Sequence, residues 1–292
     1  MKLLPIAAVV LVVAPAITAQ QAVVISTEPN AIVWIDDVRR GTTDASGKLS
    51  ITKVTPRRHT VRVRATGFKE ATATLLAGRR SLSIKLVPTT DEAELTFQKA
   101  EMAREQARDD AAREKAAELY RDTLKLRPSH AAAHVGLARV LLDQNKFNDA
   151  LAEIDAARQA RPVYPEASAV EGRIQREAGS DAEAIRAFRR SIREAGGFQP
   201  EAHVGLARVL EDKGQFAEAV VELRKALDQL SDSEPVIYQM LGAAYERLEK
   251  PKEAVAAYEK YLQLAPNGSY AAAIRSILDQ LKREAAGEQI IP

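Results

Sequence analysis

The stretch Ala133–Leu141 reads AHVGLARVL, and the same residues return unchanged at Ala202–Leu210, an offset of 69 residues. Alanines spaced by 34 or 35 residues extend this periodicity: Ala116, Ala150, Ala184, Ala219 and Ala254. A large apolar residue stands four places after each of them: Tyr120, Ile154, Phe188, Leu223 and Tyr258. Self-similarity at this period is typical of helix-turn-helix units that bury their apolar faces by stacking on one another.

Small residues recur where paired helices would have to approach closely: Ala138, Gly172, Ala207 and Gly242. In the third unit, Glu171 and Gln175 occupy seam positions, and we expect Val170 and Ile174 to move into the seam in their place. With these features the region resembles a tetratricopeptide repeat array over 91–268. The predicted units are 97–130, 131–164, 165–198, 200–233 and 235–268, followed by a capping helix 269–286 and a tail 287–292.

The region 22–88 has a different pattern, in which short apolar alternations are separated by turn residues. Six strands are predicted, at Val23–Ile25, Ile32–Ile35, Lys48–Ile51, Thr60–Ala65, Glu70–Leu75 and Ser81–Leu86. In the clearest strand, Val61 and Val63 would face a core while Arg62 and Arg64 face water, because strand side chains alternate between the two faces. The fold class predicted for the whole chain is therefore a small antiparallel β-sandwich followed by an all-α repeat solenoid.

Three segments of this first region carry a family resemblance. Pro29–Asp37 (PNAIVWIDD), Gly41–Thr43 and Thr60–Phe68 (TVRVRATGF) resemble a PEGA domain, and Thr43–Ile51 resembles the related carboxypeptidase regulatory-like β-sandwich. Asn30 and Asp37 replace glycines of the PEGA pattern, and both residue types can adopt the left-handed conformation. The resemblance implies a non-catalytic envelope or accessory module.

The amino terminus has the features of an export signal. Residues 1–19 read MKLLPIAAVVLVVAPAITA, with Lys2 as the positive region, Leu3–Val13 as the apolar core and Ile17–Ala19 as a small-residue cleavage site. The alternative is an uncleaved membrane anchor, although the apolar stretch is at the lower length limit for a span. We expect an exported protein, periplasmic or extracellular.

The two regions differ in charge. Residues 22–88 contain 12 Lys and Arg against 5 Asp and Glu, whereas residues 89–292 contain 29 against 35. The strand region supplies a candidate basic face: Arg57, Arg58, Arg62, Arg64, Arg79 and Arg80. Three interpretations stay open for this face: binding of an anionic envelope polymer or lipid, docking on the acidic helices of the same chain, or a solvated surface.

In tetratricopeptide proteins the first helix of each unit lines a concave groove, and the resemblance places Arg139, Arg173 and Arg208 at one groove-facing position. Such a ladder could hold the carboxylates of a protein or peptide partner. Asp143, Glu177 and Asp212 each follow one of these arginines by four residues, so the ladder could instead be neutralised within its own helices. The asparagines of the carboxylate-clamp proteins are lacking.

Catalytic signatures are not found. The chain has no Cys, no phosphate-binding glycine loop and no nucleophile elbow, and His130 and His134 lack a third metal ligand. A net charge of +2 gives no reason to expect a nucleic acid partner. The sequence thus predicts a non-enzymatic scaffold of the cell envelope without metal or cofactor. The alternative is a glycan- or peptidoglycan-binding accessory protein that stacks sugars on Trp34 or Phe68 and uses the array as a spacer.

Overall fold

The structure is a computed structural model that describes residues 21–36, 38–54, 56–230 and 234–286. The predicted export signal 1–19 and tail 287–292 lie outside the described residues. Within them, seven strands are followed by eleven helices.

The strands form two sheets that share one hydrophobic core. Their bounds are β1 Gln21–Ser26, β2 Ile32–Ile35, β3 Val38–Thr42, β4 Lys48–Val54, β5 His59–Arg64, β6 Ala71–Leu75 and β7 Ser81–Ser83. One sheet has the order β4-β1-β7 and the other β3-β2-β5-β6. Val23 and Ile25 of the first sheet and Val61 and Val63 of the second are fully buried in that core. The predicted alternation of β5 therefore holds on its apolar side.

Two details of the strand region were predicted incorrectly. The β1–β7 pair is parallel, so the region is not purely antiparallel. Strand β3 is absent from the six predicted strands because its sequence, VRRGT, lacks an apolar alternation. The tight turn before β3 has its left-handed residue at Asp36, with φ 50°, and Asn30 is also left-handed, with φ 56°. Asp37 lies outside the described residues.

The helices form five antiparallel pairs and a terminal cap. Their bounds are α1 Glu92–Gln106, α2 Asp110–Leu126, α3 Ala131–Asp143, α4 Phe147–Ala160, α5 Pro165–Glu177, α6 Asp181–Glu194, α7 Pro200–Asp212, α8 Phe216–Leu230, α9 Pro235–Arg247, α10 Pro251–Leu264 and α11 Ala271–Ala286. The first pair begins at Glu92, ahead of the predicted unit start at 97, because Asp91 caps α1 by accepting from the amides of Ala93 and Glu94.

Glycines set the distance between stacked helices. A Cβ on Gly172 or on Gly205 would lie within 2.6 Å or 2.4 Å of the Phe188 ring, so this ring fits only between helices that lack a side chain there. Val170 and Ile174 are fully buried, which confirms their predicted place in the seam of the third unit. Glu171 instead forms an ion pair with Arg190.

Two histidines at equivalent repeat positions each connect the first helix of their unit to its second helix. His134 in α3 places Nδ1 2.6 Å from Glu153 Oε2 of α4 and Nε2 2.8 Å from the Pro128 carbonyl oxygen. His203 in α7 meets Glu222 of α8 and the Gly197 carbonyl in the same way. Both ring nitrogens of His134 face oxygen acceptors, so the arrangement favours the imidazolium form. The hydrogen bond to Glu153 raises the pKa of His134 above its ordinary value of 6.5, against a smaller opposing effect of burial.

Replacing His134 with glutamine should lower the free energy of unfolding by about 1 kcal/mol at about pH 5.5, where the charged pair is complete. Because the pKa of His134 is raised in the folded state, this contribution is full below the ordinary pKa and is lost as the pH rises through the raised value. Urea unfolding of wild type and His134→Gln should therefore give a difference that shrinks by about pH 9. Glu153→Gln is the matched control and should remove the same pH dependence. A wild-type-to-variant difference that stays constant with pH would contradict the assignment.

Candidate functional site

The first helices of successive units lie side by side, because α1 contacts α3, α3 contacts α5 and α5 contacts α7. The surface that these first helices form is called the inner face of the array. Arg139 donates from Nη1 to Glu166 Oε1 of the next unit at 2.7 Å. Arg173 lies 3.9 Å from Glu201, again of the next unit. The ladder therefore runs between repeats, and its first two arginines are paired with glutamates at the starts of α5 and α7.

The Arg139–Glu166 pair is partly buried, and its charges depend on each other. Burial acts to raise the pKa of Glu166, but Arg139 and the more distant Arg62 outweigh it and lower the pKa to about 2. Burial acts to lower the pKa of Arg139, but the pairing with Glu166 outweighs it and raises that pKa. Both groups are thus charged near neutral pH. The first arginine of the ladder is therefore already paired with a carboxylate of the same chain.

The acidic residues predicted as intrahelical partners behave differently from that expectation. Glu177 and Asp212 both lie beside Arg176, with Asp212 Oδ2 3.8 Å from Arg176 Nη1 and Glu177 in direct contact. Asp143 is exposed at the end of α3. The observed partners of Arg139 and Arg173 come from the following repeat. The pairing of each ladder arginine with the carboxylate four residues later stays a prediction.

The third arginine of the ladder lacks its glutamate. Glu166 and Glu201 each follow a proline that begins a helix, in Pro165-Glu166 and Pro200-Glu201, but the corresponding dipeptide of α9 is Pro235-Val236. Among the described residues Arg208 makes no ion pair within 4.0 Å, and Val236 is 44% exposed. Between α7 and α9 the inner face thus has an exposed valine at the position where the two preceding repeats have a glutamate.

An open cleft of about 570 Å³ lies at this point of the inner face. Its charged lining residues are Arg176, Arg208, Glu211, Asp212 and Arg247. Its main apolar lining residues are Phe216, Val236, Met240 and Tyr270. The guanidinium carbon of Arg247 lies 5.2 Å from the centre of the Phe216 ring. The cleft therefore combines cations with apolar surface.

Glu211 is the unusual carboxyl of the cleft. Burial raises its pKa to about 7, helped by Asp212, and Arg208 opposes the shift without overcoming it. The side chain thus carries only part of its negative charge at neutral pH.

The opposite end of the inner face is covered by the strand region of the same chain. Gln98 of α1 accepts from the Gly67 amide at 2.9 Å and donates to the Phe68 carbonyl at 2.8 Å. Arg64 lies between Glu70, at 2.8 Å, and Glu101 of α1, at 3.3 Å. Arg39 of β3 contacts Glu105 at 2.8 Å. The four-stranded sheet is thus fastened to α1 by hydrogen bonds and by ion pairs.

The candidate basic face is divided by this docking. Arg62 stacks on Trp34 at 4.4 Å, and Arg57 lies 4.7 Å from the Phe198 ring in the α6–α7 connection. Arg64 was expected to face water, yet only 9% of its surface is exposed, because α1 covers it. The other three arginines are exposed in loops: Arg58, Arg79 and Arg80. Arg64 pairs with Glu101 of α1, as docking on the acidic helices would require, whereas Arg57 pairs with Asp36 and Arg62 with Glu70 inside the strand region.

Several groups of this site were not singled out in the sequence: Gln98, Glu101, Glu166, Arg39 and Val236. A usable signal existed for Glu166 and Val236, because the Pro-Glu, Pro-Glu, Pro-Val series recurs with the repeat. The contacts of Gln98 and Glu101 had no such signal, because they depend on where the sheet docks.

The described residues lack the features of two other classes of site, a metal centre and a membrane span. Among the described residues, no group of three or more His, Asp or Glu side chains could hold a metal ion. None of the helices in this part of the chain combines the length and apolarity needed to cross a bilayer. His130 accepts from the Ala133 amide at 3.2 Å and stacks on Phe97, so it caps α3.

Comparison with known proteins identifies the helical region. Models of the tetratricopeptide repeat match residues 107–165, 135–200 and 198–267, which together span more than half of the chain. No curated protein matches the sequence.

Solved structures with similar architecture have low sequence identity. TTC0263, a thermophilic TPR protein from Thermus thermophilus, is 20% identical with a TM-score of 0.52, over 65% of this chain and 98% of that one. PilW, a type IV pilus biogenesis factor, is 16% identical with a TM-score of 0.58, over 68% and 88%. MamA residues 41 to the end from Desulfovibrio magneticus RS-1 are 17% identical with a TM-score of 0.50, over 61% and 98%. These likenesses establish the helical fold.

Arg64→Glu should release the sheet from α1, because the new carboxylate would face Glu70 and Glu101. Loss of the partly buried pair should cost roughly 3 kcal/mol. Hydrogen–deuterium exchange should show faster exchange of the Gly67 amide, whose acceptor is Gln98. Arg80→Glu in the exposed β6–β7 connection is the matched control. Equal protection of Gly67 in wild type and Arg64→Glu would contradict the docking.

Proposed function

Because the chain belongs to the tetratricopeptide repeat family, we propose that it is a non-enzymatic scaffold whose inner face binds a segment of a protein partner between α7 and α9. The open cleft beside Arg208 carries this proposal. The part of the inner face next to α1 is occupied by the chain's own strand region, so a partner has access to the part that the sheet leaves uncovered.

The strand region then anchors or orients the array at an envelope component. Its resemblance to PEGA domains supports this role, as do the contacts of Gln98 and Arg64 between the strand region and α1, which would transmit the orientation of the sheet to the helices. The exported location is part of the same proposal and rests on residues 1–19.

The contacts favour this scaffold over a glycan-binding module. Arg62 and Arg64 lie over the ring of Trp34, so a sugar would have to compete with these two arginines for the ring. Phe68 is partly buried, and Gln98 holds its backbone against α1. Binding of an anionic polymer or lipid stays a prediction for the exposed Arg58, Arg79 and Arg80.

Reversing the charges of Arg173 and Arg208 should weaken partner capture without unfolding the array, since both side chains lie on the open inner face. The measurement is crosslinking of the full-length protein in the native envelope, followed by comparison of the proteins recovered with each variant. Arg186→Glu on the outer face of α6 is the matched control, because Arg186 is 70% exposed and pairs with Glu183 of its own helix. If the double reversal reduces the recovery of crosslinked proteins no more than the control variant does, binding at the inner face is refuted.

The mature protein should begin near Gln20. Mass spectrometry of the protein from the native envelope should show a loss of residues 1–19, because Ile17–Ala19 supplies the cleavage site of an export signal, with the small residue Ala19 next to the cut. Intact Met1 on the membrane-bound protein would instead establish an anchor.

A further inference from the structure

The two ends of the inner face differ in charge. At α1 the groups that face the sheet are carboxylates: Glu101 pairs with Arg64 and Glu105 pairs with Arg39. That end accepts a basic occupant, which the chain supplies itself. In the described part of the chain, the cleft between α7 and α9 has no residue of the sheet in its lining.

The cleft is lined by three arginines and by two carboxylates, Glu211 and Asp212. Arg176 is engaged by Glu177 and Asp212, which leaves Arg208 and Arg247 as its other cations. Glu211 is the remaining carboxyl, and its raised pKa of about 7 reduces its charge at neutral pH. The cleft is therefore positive where the opposite end of the inner face is negative.

The repeat pattern shows at which position Arg208 lacks the glutamate that the other two ladder arginines have. Arg139 pairs with Glu166 and Arg173 pairs with Glu201. Each of these glutamates is the second residue of the first helix in the next repeat. At that position α9 has Val236, which is exposed beside Tyr270, itself 44% exposed. An occupant that completed this step would bring a carboxylate to Arg208 and apolar surface to Val236 and Tyr270.

We infer that the α7–α9 cleft binds an extended segment of a partner protein in which a carboxylate side chain alternates with apolar side chains. This inference rests on the proposed function and specifies the chemistry of the partner. The partner's carboxylate accepts hydrogen bonds from the Arg208 guanidinium, as Glu166 does from Arg139. Its apolar neighbours cover Val236, Met240 and Tyr270, which line the same cleft. The Arg247 guanidinium lies over the Phe216 ring and would donate hydrogen bonds to a second carboxylate of the partner.

The test uses the full-length protein and rhodamine-labelled octapeptides of alternating leucine and glutamate, leucine and glutamine, or leucine and lysine. Fluorescence anisotropy should show the glutamate peptide binding at least about tenfold more tightly than the other two, as expected for a charge-assisted contact. Val236→Glu would supply the missing glutamate within the chain and should weaken the glutamate peptide by a similar factor. Val236→Gln has nearly the same shape without the charge and should weaken it less.

Two further variants locate the effect. Arg208→Glu should reverse the preference, so that the lysine peptide binds more tightly than the glutamate peptide. Val221→Glu introduces the same charge at an exposed valine of α8, outside the cleft, and should leave binding unchanged. Circular dichroism of each variant should retain the helical content of the wild type.

The inference is overturned if the glutamate and glutamine peptides bind equally, if no peptide binds, or if Val236→Glu and Val221→Glu have the same effect. These outcomes differ from failure of the proposed function. Crosslinked partners that are lost on reversal of Arg173 and Arg208 would keep the inner face as a binding surface even when the acidic peptide does not bind. Partners that are unaffected by the reversal would remove the proposed function itself.

Discussion

The array depends on close contact between aromatic rings and glycines of neighbouring helices. Tyr120 of α2 packs where Gly136 of α3 has no Cβ, and Tyr258 of α10 packs against Gly242 of α9 in the same way. A side chain at either glycine would start less than 2.5 Å from the ring. These contacts set how closely successive helices stack. Through the stacking of the units they also bring the first helices together on one inner face.

That inner face is organised by charges between repeats. In the first two steps of the ladder the chain provides both the arginine and its glutamate. At α1 it provides two arginines of the sheet, Arg64 and Arg39, as partners for the carboxylates of the helix. A charged side chain without an ion-pair partner among the described residues is therefore informative, because the neighbouring arginines of the ladder are paired. Arg208 stands out for this reason, and the substitution of a glutamate by Val236 in the repeat pattern explains its state.

Much of the fold could be predicted because it follows from local periodicity. The repeat of 34 or 35 residues located the helix pairs, and the two-residue alternation located six of the seven strands in the described region. Strand β3 was missed since Arg39 and Arg40 carry no alternation, and its pairing with β2 supplies what the sequence pattern lacks. The parallel pairing of β1 with β7 was missed for a related reason, because strand partners are chosen by the packing of two sheets on a shared core.

The candidate site shows where such reasoning ends. The sequence by itself determined the repeat register, the equivalence of Arg139, Arg173 and Arg208, and the basic character of the strand region. The tertiary structure alone decided that Arg139 pairs with Glu166, that Arg64 is buried against Glu101, and that the sheet covers one end of the inner face. Periodic burial of apolar side chains leaves a trace along the chain, whereas an ion pair across repeats or domains depends on curvature and docking, which arise only when all the units have packed.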